Sequence, residues 1–305
     1  MEAFLSTIDQ MAFLFLCMLI GFVLHKMHIL DENADVLISR LENDVFVPAL
    51  IINSFMTYCT VENLAANASA LLYCILFLGI SIGIGFVLAP RFTRDRTEEA
   101  IYRYSFAVTN FGFMGNSLVQ GLLGDAALFR YLIFTIPGNA FTYSAGIIWL
   151  TAGQKKFSPK MLLNTTFVSM LIGALLGLGQ IPLPSFMMKT IDACAGCFSP
   201  LAMILTGFVI AKFDIAKLFR QVKVYVIAAI RVVLMPLAYL GISYLLRMPQ
   251  DIRVLMVFFS AMPLGLNTIV FPAAYGGDET IGASMAVISS ILGIVSVPLI
   301  LSLVL

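Results

Sequence analysis

Ten long apolar runs follow one another along this chain, near 6–27, 36–57, 65–89, 100–123, 127–151, 161–180, 188–211, 223–246, 252–275 and 280–304, each bounded by charges. An α-helix needs about 20 apolar residues to cross the hydrocarbon core, where backbone polar groups must be paired inside the protein. The chain is therefore expected to be an all-α integral membrane protein with ten transmembrane helices. The connections are too short to form a water-facing domain. Charged residues make up 11% of the 305, against ~25% for soluble domains. The 18 Lys and Arg are balanced by 17 Asp and Glu, which argues against a nucleic-acid partner. Cys17, Cys59, Cys74, Cys194 and Cys197 lie mostly within apolar runs, which excludes a disulfide scaffold.

The first run is preceded by Glu2 and Asp9 and followed by Lys26, the reverse of a cleavable signal, so it is expected to stay as the first span. With the N-terminus outside, thirteen Lys and Arg fall in inner connections, among them Lys26, Arg94, Lys155 and Lys212. Four fall outside: Arg130, Lys189, Arg247 and Arg253. Positive residues collect on the cytoplasmic side, so a plasma (inner) membrane protein with both termini outside is expected.

The two halves answer one another. Pro48 in FVPALI matches Pro200 in FSPLAM at an offset of 152, and Asn110-Phe111-Gly112 matches Pro263-Leu264-Gly265 at 153. Residues 1–152 and 153–305 are thus expected to form two five-helix repeats. Five spans per half is an odd number, so the second repeat enters the membrane from the opposite side, an inverted repeat.

The fourth span, YSFAVTNFGFMGNSLVQGLLGD, and the ninth, VFFSAMPLGLNTIVFPAAYGGD, carry helix breakers and polar residues midway. Broken backbone is tolerated at that depth only where protein or a water-filled cavity supplies partners. Freed N–H groups at the start of a second half-helix favour an anion. The candidate substrate-binding residues are Asn110, Gly112, Gly115, Asn116 and Ser117, with Pro263, Gly265, Asn267 and Thr268. Glycine and proline are also common in membrane helices, and asparagine can serve packing alone. Breaks at matched positions of two repeats favour a binding site.

Asn110-Phe-Gly-Phe-Met114-Gly115 and Gly124-Asp125-Ala-Ala-Leu, with Ala261-Met262-Pro263-x-x-x-Asn267 and Tyr275-Gly276-Gly277-Asp278, resemble the auxin efflux carrier family, in a compact prokaryotic form. The resemblance implies a scaffold of spans 1, 2, 6 and 7, a transport domain of spans 3–5 and 8–10, and crossing of the fourth and ninth spans near their breaks. It also implies organic anions, such as dicarboxylates or aromatic acids, as substrates. Ser117 stands where the family often has proline, and Pro272 where a small residue is more usual, so substrate choice is expected to differ.

Glu42 and Asp44 interrupt the second span, and Arg231 the eighth. Ionised groups in membrane spans cost about 2.5–3.5 kcal/mol at mid-depth on insertion scales and need a reason. Arg40 and Asp44 are spaced to pair on one helix face. Glu42 lies off that face and is the better candidate for coupling to a proton or cation. Arg231 is expected either to attract an anion or to neutralise an acidic partner. Cys194-x-x-Cys197 has no second pair and no nearby His, so packing is expected rather than a metal site. His25 and His28 fall at the wet end of the first span.

No nucleophile elbow, phosphate loop or metal-binding helix motif is present, so neither an enzyme, a cofactor nor self-contained ATP drive is expected. The expected function is a secondary transporter moving an organic anion, in the lipid bilayer, by alternating access. Proton or sodium coupling and a homodimer through the scaffold spans stay open. An anion channel or a non-transporting sensor is the alternative, separable by saturation and counterflow.

Overall fold

The computed structural model describes residues 2–151, 156–273 and 279–305, which are helical with no strand among them. Lys155, the repeat boundary at 152–153 and the Tyr275-Gly276-Gly277-Asp278 motif lie outside the described residues. The helices are α1 (Glu2–Lys26), α2 (34–58), α3 (Val61–Phe92), α4 (Arg96–Ala107), α5 (111–123), α6 (125–150), α7 (Thr165–Leu178), α8 (Ser185–Ala211), α9 (Val222–Leu245), α10 (Gln250–Ala261), α11 (Asn267–Ala273) and α12 (Thr280–Leu301). By length and composition α1, α3, α8, α9 and α12 are each able to cross a membrane. Others fall short for a visible reason. The fourth apolar run is divided into α4 and α5 and the ninth into α10 and α11, so each half is too short alone.

Local chemistry sets the boundaries. Thr60 caps α3 by accepting from the Asn63 N–H, Asp95 caps α4 by accepting from Thr97 and Glu98, and Asn164 caps α7 by accepting from Phe167. α6 bends at Thr135 (φ −82°, ψ −3°), two residues before Pro137, whose ring cannot follow a regular turn. Wide π-turns replace regular helix at Glu42–Phe46 in α2, Phe111–Gly115 in α5, Thr142–Gly146 in α6 and Ile230–Leu234 in α9. Such turns occur frequently at functional sites.

One group of helices packs around α8: α1 and α2 lie against it, and α7 packs on α2. The contacts are close because glycines stand at them. A Cβ on Gly207 would strike the Met18 carbonyl, one on Gly21 the Ile204 carbonyl, and one on Gly173 the Phe55 side chain. In a membrane this backbone proximity supplies dispersion contact that a difference in hydrophobicity cannot. A second group joins α3 to α4 and α6, and α9 and α10 to α12.

Candidate functional site

The two interrupted runs meet at their breaks. α4 ends where Val108 turns extended (φ −124°, ψ 136°), and α10 ends where Met262 does (φ −63°, ψ 142°). Across the gap the Asn110 N–H donates to the Pro263 carbonyl at 2.7 Å, and the Thr109 hydroxyl to the Phe259 carbonyl at 2.7 Å. The Leu264 N–H donates to Ser289 of α12 at 2.9 Å. Backbone groups freed by the breaks are thus paired through neighbouring helices, where leaving a buried one unpaired costs about 1–3 kcal/mol. Gly265 lets the two extended segments approach: a Cβ there would stand 3.3 Å from the Asn110 side chain.

Arg231, 1% exposed, sits in the π-turn of α9. Its Nε donates to the Ser105 carbonyl at 3.2 Å and its Nη1 to the Ser260 carbonyl at 2.8 Å. These carbonyls belong to the last turns of α4 and α10, the negative ends of both first half-helices. Among the described residues no carboxylate pairs with Arg231, so the acidic-partner alternative is replaced by two backbone acceptors.

Two cavities border the crossing. One of about 410 Å³ opens between α2, α7 and α8 on one side and α5, α6 and α11 on the other, and Arg40, Asn43, Tyr143, Asn164 and Asn267 line it. A smaller one of about 50 Å³ shares Asn43, Phe113, Tyr143 and Thr166 with it and reaches Gly112, Asn116 and Asn139 beside the break. At the other end of α2 a cavity of about 250 Å³ is lined by Asn53, Thr57, Gln120, Asp125 and Asp192. Cavities with polar side chains in their walls therefore lie toward both ends of α2, those of one end beside the fourth-run break.

Of the residues singled out by sequence, Asn110, Pro263 and Gly265 make the crossing, while Gly112, Asn116 and Asn267 border the cavities. A side chain on Gly112 would meet nothing within 4 Å, so its backbone faces open space. Asn116 Oδ1 has no partner among the described residues, and Asn267 donates to the Tyr104 hydroxyl at 2.9 Å. Gly115, Ser117 and Thr268 turn into packing instead. Gly115 abuts the Tyr131 hydroxyl, Ser117 donates to the Phe113 carbonyl at 2.7 Å, and Thr268 lies 3.4 Å from the Gly265 and Gly282 carbonyls.

Arg40 and Asp44 do not pair among the described residues, and both are exposed. The π-turn that begins at Glu42 widens the helix between them, and the four-residue spacing no longer aligns their faces. Arg40 instead lines the larger cavity, where Asp35 is paired with Lys212 at 2.7 Å. Cys194 is half-buried and Cys197 exposed, both as free thiols. Sequence reasoning passed over Asn43, Asn139 and Asn164, although an amide inside an apolar run is itself a signal. Tyr143 gave none, because aromatic residues are ordinary in such runs.

A mainly apolar cavity with polar side chains in its wall, bordered by two broken segments that cross, is the arrangement expected of a membrane transporter. The family model described as membrane transport protein matches residues 6–161 and 152–301. The chain belongs to that family, the membrane transport proteins of the auxin efflux carrier type. An uncharacterized transporter of Methanothermobacter thermautotrophicus is similar to it, 21% identical over 299 residues that cover 97% of this chain and 98% of the other. It is thus a multi-pass membrane protein of a transporter family, not of an enzyme family.

Proposed function

We propose that the protein is a secondary transporter that carries an organic anion, a carboxylate, by alternating access. The observation that carries this reading is Arg231 on the Ser105 and Ser260 carbonyls. A half-helix that ends in the membrane presents partial negative charge, and one that begins there presents partial positive charge. Arg231 offsets the negative ends of α4 and α10 and adds a full positive charge in a buried place. The start of α5 and the amides of Asn116 and Asn267 then present donors toward the cavity, an arrangement that suits a carboxylate.

The wider architecture of the proposal is a ten-span inverted repeat, 1–152 and 153–305, with both termini outside the plasma membrane. α1, α2, α7 and α8 form the scaffold, and the remaining helices move against it. The cavities at the two ends of α2, both between α2 with α8 and the α5–α6 region, support that movement as the route of access.

Reconstituted protein tests the function. Vesicles loaded with succinate or gluconate should take up the labelled acid by counterflow, with a rate that saturates. Flux that rises linearly with concentration and shows no counterflow would identify a channel. Absence of flux for both acids rejects the substrate class.

A further inference from the structure

Glu42 is fully buried, and neither carboxylate oxygen has a hydrogen-bond partner among the described residues. From this geometry, and resting on the transporter reading above, we propose that Glu42 is the proton-binding site of the carrier and that one proton crosses with each anion.

The surroundings of Glu42 exclude the ordinary explanations for a buried carboxylate. Its π-turn packs against α7 and α8. α7 carries no ionisable residue, and α8 carries Lys189, Asp192, Cys194 and Cys197. The Asp35–Lys212 ion pair puts the end of α8 beside the start of α2, so Lys189 lies roughly 35 Å from that end along the helix and roughly 25 Å from the level of Glu42. Asp192 lines the cavity at the far end, with Asn53 and Thr57. On α2 itself Asp35 is engaged by Lys212, and Arg40 and Asp44 are exposed. His25 of α1 sits edge-on to Phe208. An ionised carboxylate taken from water needs a counter-charge or several donors, and among the described residues neither is present for Glu42. Sodium would need a cage of oxygen ligands, whereas a proton needs only the carboxylate. In this conformation Glu42 is accordingly the uncharged acid.

Its position links it to the moving parts. Asn43, the next residue, lines both cavities at the crossing. Ile38, one turn earlier on the face of Glu42, packs on a cluster in which Leu205 and Val209 of α8 meet Leu266 and Ile269 at the ninth-run break. Displacement of that break against α8 repacks the wall beside Glu42. Charge balance sets the stoichiometry. The empty carrier returns with Glu42 ionised and reached by water, its charge cancelling that of Arg231, whereas the enclosed form described here holds the proton. With a monoanion bound, the anion cancels Arg231, and Glu42 must take a proton from water on the loading side and return it to water on the other. Both forms then cross the bilayer without net charge.

The test uses Glu42→Gln, which imitates the protonated acid and so preserves folding, in two measurements. Purified wild type at neutral pH should show the infrared band of a protonated carboxyl, and the variant should lack it. In vesicles held at zero potential with potassium and valinomycin, wild type should accumulate labelled gluconate, whose neutral acid is too polar to cross lipid unaided, on the alkaline side about ten-fold per unit of pH gradient, and protein-free vesicles should not. Glu42→Gln should retain counterflow but not accumulate, and Glu42→Asp should restore accumulation. A variant that accumulates like wild type, or an infrared band unchanged by the substitution, overturns the proposal. If neither succinate nor gluconate is carried at all, the transport reading fails, while loss or persistence of the band still decides the proton site.

Discussion

The Asn110 N–H donates to the Pro263 carbonyl at 2.7 Å, and these two residues occupy matched positions of the halves, 153 apart. The bond has no reciprocal, because proline has no N–H to return. One half therefore presents an amide at the crossing where the other presents a rigid turn. The Asn110 side chain lies beside Gly265 with its Oδ1 accepting from the Met114 N–H at 3.5 Å, and Asn267 is held by Tyr104.

Asn110→Ala and Asn267→Ala should each raise the dissociation constant for a transported carboxylate roughly ten-fold or more, since a hydrogen bond to a charged group contributes about 1.5–3 kcal/mol. Tyr104→Phe removes only the group that holds Asn267 and should cost less. Calorimetric titration of purified variants checks this. Wild-type affinity in both asparagine variants, with folding intact, would make them packing groups.

Two glycine substitutions should separate site from scaffold. Gly112 borders open space, so Gly112→Leu should leave the melting temperature near wild type and abolish counterflow by filling the small cavity. At Gly207 a Cβ would strike the Met18 backbone, so Gly207→Ala must part α1 from α8 and should destabilise by about 1–3 kcal/mol. Thermal unfolding in detergent beside vesicle counterflow reads both effects.

Topology is open to labelling. Cysteines placed at Arg94 and Lys156 should react only from the cytoplasm, and those at Asn63 and Leu305 only from outside, as the distribution of Lys and Arg requires. Reaction of the Arg94 and Asn63 positions from the same side would refute the orientation.

The apolar runs announced a helical membrane protein because hydrocarbon permits no other reading of such a composition, and the breaks were legible because Gly112, Pro263 and Gly265 are costly inside a helix. The π-turns were not. They arise from packing against neighbouring helices and leave no pattern in the local sequence, yet they hold Glu42, Asn43, Tyr143 and Arg231. For the same reason the Arg40–Asp44 spacing misled, since four-residue pairing presumes a regular turn. Arg231 stood out as a buried charge, but its acceptors are carbonyls of Ser105 and Ser260, which any residue type would supply.

Those acceptors make Arg231 the sharpest test of the electrostatic reading. Arg231→Lys keeps the charge but loses the planar fork that reaches two carbonyls, whereas Arg231→Gln keeps some donor capacity and loses the charge. Both should lower the melting temperature, because a buried carbonyl loses its donor in each. Anion affinity should part them: Arg231→Lys should stay within a few-fold of wild type, and Arg231→Gln should fall by ten-fold or more. Binding measured by titration below the melting temperature of each variant decides between the roles. If lysine and glutamine variants bind equally well, Arg231 serves only to tie α4 to α10, and the positive potential at the crossing is not what attracts the substrate.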